Sequence, residues 1–100
     1  MTTKAEKAWF RAIQDLGCIV CWMRGNWGVP AAVHHIHRNG RRVSHMHTIP
    51  LCDPGHHQNA PAGSGQISRH PNKARFEQEY GTEWELWEIV KREVAKRGLT

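Results

Sequence analysis

The sequence predicts an α+β domain in which a helix at each end of the chain encloses a pair of short strands. Three observations support this class. Apolar residues recur at helical intervals near both ends, and two short runs on either side of an Asn-Gly turn suit strands. The length of 100 residues leaves room for one hydrophobic core. We therefore expect residues 1–100 to form a single domain.

The first element is a helix over about residues 3–16. Thr3 and Glu6 have the spacing of a capping box, in which each side chain accepts from the other residue's backbone N–H. Apolar side chains then follow at helical intervals, at Ala5, Ala8, Trp9, Ala12, Ile13 and Leu16. Gly17 ends this helix, and residues 18–21 are expected to form a tight knuckle.

The predicted strands occupy the middle of the chain. Residues 32–36 form the best strand candidate, and Asn39-Gly40 offers a hairpin turn soon after it. A second short strand is expected at residues 48–51. These two strands would form the β part of the domain.

Short helices and a loop are expected after the strands. His56-His57 can begin a short helix behind Pro54-Gly55, with Asp53 as its cap. Residues 60–68 are rich in Gly, Ala and Ser and are interpreted as a flexible loop. Residues 76–80 belong to a further helix.

A C-terminal helix completes the predicted fold. Thr82 and Glu85 form a second capping box. The helix then carries an apolar stripe of Trp84, Trp87, Val90 and Val94. Because its tryptophans repeat at helical spacing on an acidic helix, we assign them to the core rather than to base stacking.

The charge of the chain is distributed unevenly. The net charge is +5, and residues 16–76 carry seven Lys or Arg against one acid. All eight histidines lie in that same segment. This overlap favours a polyanion as partner over a merely solvated basic face. No apolar run approaches the ~20 residues that a bilayer crossing needs, and the N-terminus lacks a signal peptide's apolar core, so a cytoplasmic protein without membrane contact is expected.

Three cysteines and a histidine have the spacing of a structural zinc site. Cys18-x2-Cys21 suits one pair of ligands, and Cys52 with His56 suits a second pair. A closed Cys3His site would add stability that a small core supplies only in part. A disulfide framework is disfavoured by the odd count, and a redox CxxC lacks a βαβ pattern. Three unligated buried cysteines are the alternative.

His56 and His57 are expected to serve two different sites. Neighbouring helical positions point about 100° apart, so the two side chains should not bind one ion. We expect His56 to face the zinc and His57 to face the histidines of the first strand. The spacing also allows His57 to face the zinc and His56 to face the strand, because Gly55 lengthens the gap after Cys52.

Several segments carry a resemblance to a known family. His34-His35-Ile36, residues 48–52 and His56-His57 together resemble the ββα-metal core of HNH (His-Me finger) endonucleases with their zinc knuckle. More narrowly, the chain is similar to the phage Ref (recombination enhancement function) nucleases in these segments: residues 4–21, 34–36, 44–45, 50–52, 76–77 and 80–83. The resemblance covers nearly the whole chain. It implies a small ββα-metal core with a Cys3His zinc knuckle, flanked by N- and C-terminal helices.

The resemblance also implies roles for the histidines. His35, the second histidine of the first-strand pair, would be the general base, since neutral imidazole can take a proton from attacking water. His34 and His57 would bind a divalent metal, and His70 is expected as a third ligand. The family suggests Mg²⁺ or Mn²⁺, whereas an all-imidazole site also accepts Zn²⁺ or Ni²⁺. The products would carry 5′-phosphate and 3′-hydroxyl ends.

Two features depart from the HNH pattern. The central Asn has no counterpart, and His45 or His47 lies in that stretch. Strict strand alternation would place His35 and His37 on one face and turn His34 away, so the implied roles need a strand end or a bulge at His34. His37 is an alternative ligand, although a phosphate contact or a plain surface position suits it better. The roles of His37, His45 and His47 stay open.

These residues together predict a metal-dependent DNA endonuclease with little sequence specificity. Basic side chains would hold phosphates without reading bases: Arg38, Arg41, Arg42, Arg69, Lys73 and Arg75. One alternative is a non-catalytic zinc-finger module that binds DNA. Another is a recombination nuclease that is inactive without a RecA filament, a dependence that the Ref resemblance implies. That resemblance also implies a phage or prophage protein in a bacterial host.

Overall fold

The computed structural model of the protein describes residues 2–98. Within that range four helices and four short strands follow in the order α1 (Lys4–Leu16), α2 (Ile19–Met23), β1 (Ala32–His35), β2 (His37–Arg38), β3 (Arg41–Arg42), β4 (Thr48–Leu51), α3 (Lys73–Tyr80) and α4 (Glu83–Arg97). The strands pair as two antiparallel ribbons, β1 with β4 and β2 with β3. The predicted α+β class is therefore confirmed.

Helix α1 ends at the predicted Leu16 and begins at Lys4, with Thr3 as the predicted N-cap. Thr3 Oγ1 accepts from the Glu6 N–H at 3.1 Å, and Glu6 Oε1 accepts from the Thr3 N–H at 2.8 Å. The buried face of the helix consists of Trp9, Ala12, Ile13 and Leu16. Gly17 follows with φ of +85°, and a Cβ there would lie 2.8 Å from the Val29 carbonyl oxygen. Glycine is therefore required at this helix end.

The first predicted strand is shorter than expected, whereas β4 has the expected bounds. Ile36 leaves β1 and links the two ribbons, because its N–H donates to the His47 carbonyl and its own carbonyl accepts from the Val43 N–H. The pairing of β1 with β4 is regular at all four residues. The bulge expected at His34 is thus absent, and the break in the strand comes at Ile36 instead.

Strands β2 and β3 form the predicted hairpin. Asn39 has φ of +54° and Gly40 has φ of +75°. A two-residue type I′ turn requires a positive φ at both of its central residues, and Asn-Gly is the pair that adopts it most readily. The hairpin carries three exposed arginines: Arg38, Arg41 and Arg42.

The chain around the cysteines differs from the prediction in two places. Residues 18–21 do not form a simple knuckle, because Ile19–Met23 form the helix α2 with Cys18 at its N-cap. The helix expected at His56-His57 is also absent, since residues 53–57 form turns. Gly55 has φ of +146°, which no right-handed helix contains. Asp53 therefore caps no helix, and its Oδ2 accepts from Gln58 Nε2 at 2.8 Å.

The hydrophobic core lies where α1 and α4 pack against β1 and β4. Trp9 ties α1 to β4, because its Nε1–H donates to Thr48 Oγ1 at 2.8 Å. The predicted capping box starts α4, and Trp84 and Trp87 pack partly buried against the core. The tryptophans of α4 are therefore packing residues, as expected. Residues 60–68 contain neither helix nor strand, which also agrees with the prediction.

Candidate metal centres

The first candidate centre joins three separate segments of the chain. Cys18 is the N-cap of α2, Cys21 lies inside that helix, Cys52 follows β4, and His56 lies in the turn after it. All four side chains are buried, and one ligand atom from each lies within 4.8 Å of the others. The structure thus brings together the four predicted residues and places His56, rather than His57, beside the thiols.

The spacing of these four atoms suits a tetrahedral ion. His56 Nδ1 lies 3.5 Å from Cys18 Sγ, 3.5 Å from Cys21 Sγ and 3.2 Å from Cys52 Sγ. The Sγ atoms of Cys21 and Cys52 are 3.9 Å apart. In a tetrahedral zinc site with ordinary bond lengths, ligand atoms lie about 3.5–3.8 Å apart. The four residues therefore fit zinc.

The electrostatics of this cluster also suit a cation. Burial raises the pKa of the Cys18 and Cys21 thiols. Burial, with the nearby Arg24 guanidinium, lowers the pKa of His56 to about 4. His56 is therefore neutral at pH 7 and keeps the lone pair that a ligand needs. A bound cation would supply the positive charge that keeps buried cysteines in the thiolate form.

The second candidate centre consists of His34, His57 and His70, which we call the three-histidine cluster. One ring nitrogen from each residue lies within 4.8 Å of the others. His34 comes from β1. The backbones of His57 and His70 are hydrogen-bonded to each other, because the His70 N–H donates to the His57 carbonyl at 3.0 Å. The structure thus assembles the three residues that the sequence suggested as ligands of a divalent metal.

A buried carboxylate from α4 orients this cluster. Glu83 Oε2 accepts from His34 Nε2 at 2.7 Å, and Glu83 Oε1 accepts from Arg69 Nε at 2.8 Å. Burial alone would raise the pKa of Glu83, but the hydrogen bonds from His34 and Arg69 lower it to about 2. The carboxylate is therefore ionised and can only accept. A carboxylate behind a ligating histidine is a common feature of metal sites.

Sequence reasoning included Glu83 in the family resemblance but gave it no role, although one signal was present. Glu83 shares the buried face of α4 with Leu86, Val90 and Val94. An acid at helical spacing within an apolar stripe is unusual, because an ionised carboxylate is seldom buried without a partner. The spacing could therefore have indicated a paired or functional carboxylate.

The protonation of the cluster leaves lone pairs free. Burial lowers the pKa of His34 and of His70, so both are neutral at pH 7. Because His34 donates through Nε2 to an ionised carboxylate, its Nδ1 carries the lone pair. His57 Nδ1 is buried, lies 3.5 Å from Asp53 Oδ2, and makes no hydrogen bond among residues 2–98. An unpaired buried nitrogen beside two neutral imidazoles fits a divalent cation.

His35 lies outside the three-histidine cluster. Successive side chains of a strand point to opposite faces, so His35 turns away from His34. Its Nε2 lies 2.9 Å from His45 Nδ1, and Phe10 packs edge-on against both rings. Burial, followed by the charge of Arg42, lowers the pKa of His35 to about 4. The imidazole is therefore neutral at pH 7.

The two other histidines without assigned roles occupy different surroundings. The ring centroid of His37 is 6.4 Å from that of His34, because the break at Ile36 returns the chain to the same side. His47 Nδ1 lies 2.6 Å from Ser44 Oγ, and its ring packs 4.7 Å from Trp87. His47 thus contributes to packing against α4.

Five of the six predicted phosphate-binding residues are exposed: Arg38, Arg41, Arg42, Lys73 and Arg75. The sixth, Arg69, is only 8% exposed and its Nε donates to Glu83. The charge of Arg69 is therefore paired inside the protein, so its assignment to phosphate binding has less support than that of the five exposed residues. The exposed residues lie on the β2–β3 hairpin and on α3, which begins three residues after His70.

Comparisons with known proteins give one family. A family model described as recombination enhancement, RecA-dependent nuclease matches residues 2–95. No curated protein matches the chain. Among residues 2–98, no helix is long and apolar enough to cross a membrane.

Proposed function

Because the chain belongs to the family of recombination enhancement, RecA-dependent nucleases, we propose that it hydrolyses DNA phosphodiester bonds by an HNH-type mechanism. The observation that carries this proposal is the three-histidine cluster with Glu83 behind His34. A metal centre that only stabilises the fold is closed by its ligands, whereas a catalytic one keeps a position open. Three imidazole ligands on a partly exposed surface leave such a position.

The two centres have different roles in this proposal. The site of Cys18, Cys21, Cys52 and His56 holds a structural zinc. The three-histidine cluster holds a divalent ion, with Mg²⁺ or Mn²⁺ expected from the family and Zn²⁺ or Ni²⁺ also suited to imidazole ligands. When bound, that ion would stabilise the negative charge that develops on the phosphate and the leaving oxygen.

We assign the general base to His35 on the family resemblance. His35 points away from His34, but it is the last residue of β1, so we place the phosphate that is cut at that end of the strand, where both His35 and the ion can reach it. If its Nε2–H donates to His45 Nδ1, the lone pair on His35 Nδ1 is free to accept a proton from water. The water oxygen bonds to phosphorus as that proton moves to His35, and the bond between phosphorus and O3′ breaks. O3′ takes a proton from solvent. The products carry a 5′-phosphate and a 3′-hydroxyl.

The exposed basic residues hold the backbone of the DNA. Arg38, Arg41 and Arg42 contact phosphates from the hairpin, and Lys73 and Arg75 contact them from α3. Such contacts fix the position of the DNA without reading its sequence. The family also implies a protein partner, so cleavage is expected to require a RecA filament.

The first experiment tests the general base. Purified protein is incubated with DNA and Mg²⁺ or Mn²⁺, with and without RecA filaments, and compared with His35→Ala. Loss of a general base should lower the rate by about 10²–10⁴-fold, while zinc content and DNA affinity stay unchanged. His47→Gln is the control, since His47 lies in neither centre, and His37→Ala tests the histidine outside the cluster whose ring centroid lies 6.4 Å from that of His34.

Each outcome of that experiment is decisive. Unchanged cleavage by His35→Ala would overturn the assignment of the base. If His37→Ala lost cleavage instead, His37 would be identified as the base. Cleavage of bare DNA would remove the dependence on RecA. DNA binding without cleavage under every condition would support a non-catalytic zinc-finger module.

The second experiment tests the metal centre. Glu83→Gln keeps the size of the side chain but removes the charge that accepts from His34 and Arg69. Mn²⁺ affinity, followed by titration, should fall about 10–100-fold, with the zinc content unchanged. Glu88→Gln is the matched control, because Glu88 is an exposed acid of the same helix. Equal Mn²⁺ affinity in both variants would contradict a catalytic ion at this cluster.

A further inference from the structure

A cavity of about 370 Å³ opens beside the three-histidine cluster. The segment from Asn59 to Asn72 and the start of α3 form its walls, and His70 belongs to both the cluster and the cavity wall. Ligand sites in proteins have volumes of about 300–1,000 Å³. The cavity is thus of the size for one small group, such as a single nucleotide.

The walls of the cavity combine unpaired polar groups with apolar surface. The side chains of Asn59, Asn72 and Arg75 are exposed and make no hydrogen bond or ion pair within residues 2–98, so they are free to contact a ligand. Asn72 is the N-cap of α3, yet its amide makes no capping bond. Ile67 and Pro71 supply apolar surface, and no acidic residue lines the cavity.

These groups match the parts of a nucleotide. A base offers donors and acceptors along its edge, which Asn amides can pair with, and an apolar face that aliphatic side chains can contact. A phosphate offers oxygens that a guanidinium binds. A small metabolite with several carboxylates would leave the amides and the apolar wall unused.

We propose that this cavity is a nucleotide subsite, which receives the base of the nucleotide next to the phosphate that is cut. The amides of Asn59 and Asn72 contact the base edge, and Arg75 contacts the neighbouring phosphate. The position next to the cut rests on the proposed function, because His70 links the cavity to the three-histidine cluster.

The proposal has two consequences for the substrate. A base inside a duplex is stacked and paired, so it must be unpaired or extruded to enter such a cavity. The strand that is cut is therefore single-stranded, or locally opened, at that nucleotide. The nuclease should also show a base preference at one fixed position, although its other DNA contacts are to phosphates.

The first arm of the test does not depend on catalysis. The four deoxynucleoside 5′-monophosphates are titrated into the zinc-loaded protein, and backbone amide shifts are followed by NMR. Shifts should concentrate in residues 59–75 and should weaken in the double variant Asn59→Gly, Asn72→Ala. Glycine is chosen at position 59 because Asn59 has φ of +56°. Asn26→Ala is the control, an exposed asparagine outside the cavity.

The second arm maps the cut sites of wild-type protein on a randomised DNA segment, with RecA filaments present, by sequencing the product ends. One position beside the cut should favour one or two bases by about fivefold or more, and the double variant should lose that preference. Uniform base frequencies in the wild type would overturn the subsite, as would shifts that avoid residues 59–75. Nucleotide binding without any cleavage would keep the subsite and reject the proposed function.

Discussion

Glu83 shows how one residue can connect a helix to a chemical site. It is 3% exposed and accepts hydrogen bonds from His34 and Arg69. Removing one partner of a buried ion pair costs about 3–5 kcal/mol, because the other charge is left unpaired. Replacing both partners of such a pair by apolar residues of similar size is often neutral or stabilising, so packing alone does not require this carboxylate. The carboxylate is better explained by its effect on His34, whose ring it fixes.

Gly55 offers a prediction about the structural centre. A Cβ at position 55 would lie 2.6 Å from Cys52 Sγ, so Gly55→Ala should displace that ligand. Gly63→Ala is the matched control, since Gly63 also has a positive φ but has no atom within 4 Å of such a Cβ. In the control, the free energy of unfolding should fall only by the cost of the backbone conformation, about 1–2 kcal/mol.

The measurements for Gly55→Ala are thermal unfolding and zinc affinity in competition with a chelator. The variant should unfold well below Gly63→Ala and should lose zinc at a lower chelator concentration. Equal behaviour of the two variants would show that Cys52 is free to move or does not bind the ion.

At the residue scale, ligand types could be predicted but their supporting partners could not. Cysteine and histidine at short spacing indicate metal binding, so the sequence identified both groups of residues that the structure brings together. Arg69 was assigned to phosphates because its charge is visible in the sequence, whereas its burial is not. Its partner Glu83 lies 14 residues away and reaches it only through the packing of α4.

At the scale of elements, the start of α4 positions the buried carboxylate. Thr82 Oγ1 accepts from the Glu85 N–H, and Glu85 Oε1 accepts from the Thr82 N–H. This capping box fixes the first turn of the helix, which contains Glu83. The geometry of the three-histidine cluster therefore depends on a local helix signal.

Replacement of Thr82 tests this dependence. Thr82→Ala removes the cap and should lower stability by about 1 kcal/mol, which corresponds to about 4–8 °C in a domain of this size. Mn²⁺ affinity at the three-histidine cluster should fall as well, and Thr82→Ser should restore both. Thr3→Ala removes the equivalent cap of α1, far from the cluster in the chain. It should lower the melting temperature alone, and a similar loss of Mn²⁺ affinity in Thr3→Ala would contradict the positioning role.

Elements with strong end signals could be predicted, and short elements could not. The capping boxes gave the starts of α1 and α4, and the Asn-Gly pair gave the hairpin. The helix at His56 was wrong because Gly55 adopts a φ that depends on its close approach to Cys52. Helix α2 has only five residues, with Cys18 at its N-cap and Cys21 inside it, so it is too short to leave a helical pattern in the sequence.

At the scale of the whole molecule, the cysteine centre joins three separate segments of the chain. It connects α2 to the end of β4 and to the turn that presents His57. A domain of 100 residues buries a limited fraction of its surface, so a zinc ion bound there would add a large share of its stability.

Removal of zinc should therefore unfold much of the domain. A ligand present at about 1,000 times its Kd stabilises the folded state by about 4 kcal/mol, so chelation under reducing conditions should lower the melting temperature by about 15 °C or more. Added zinc should restore it. Mg²⁺ should not restore it, since thiolates prefer softer ions. An unchanged melting temperature, with zinc shown to be removed, would contradict a structural role.

The exposed basic surface gives a prediction about DNA binding by the whole molecule. Each phosphate contact contributes about 0.7–0.9 to the slope of log affinity against log salt. Arg41→Ala with Arg42→Ala, made in the His35→Ala background to prevent cleavage, should therefore reduce that slope by about 1.4–1.8. Arg11→Ala with Arg92→Ala is the control, because it removes the same charge from exposed positions on α1 and α4. Fluorescence anisotropy at several salt concentrations measures the slopes. If both double variants changed the slope equally, binding would depend on net charge alone and the hairpin would not be the contact surface.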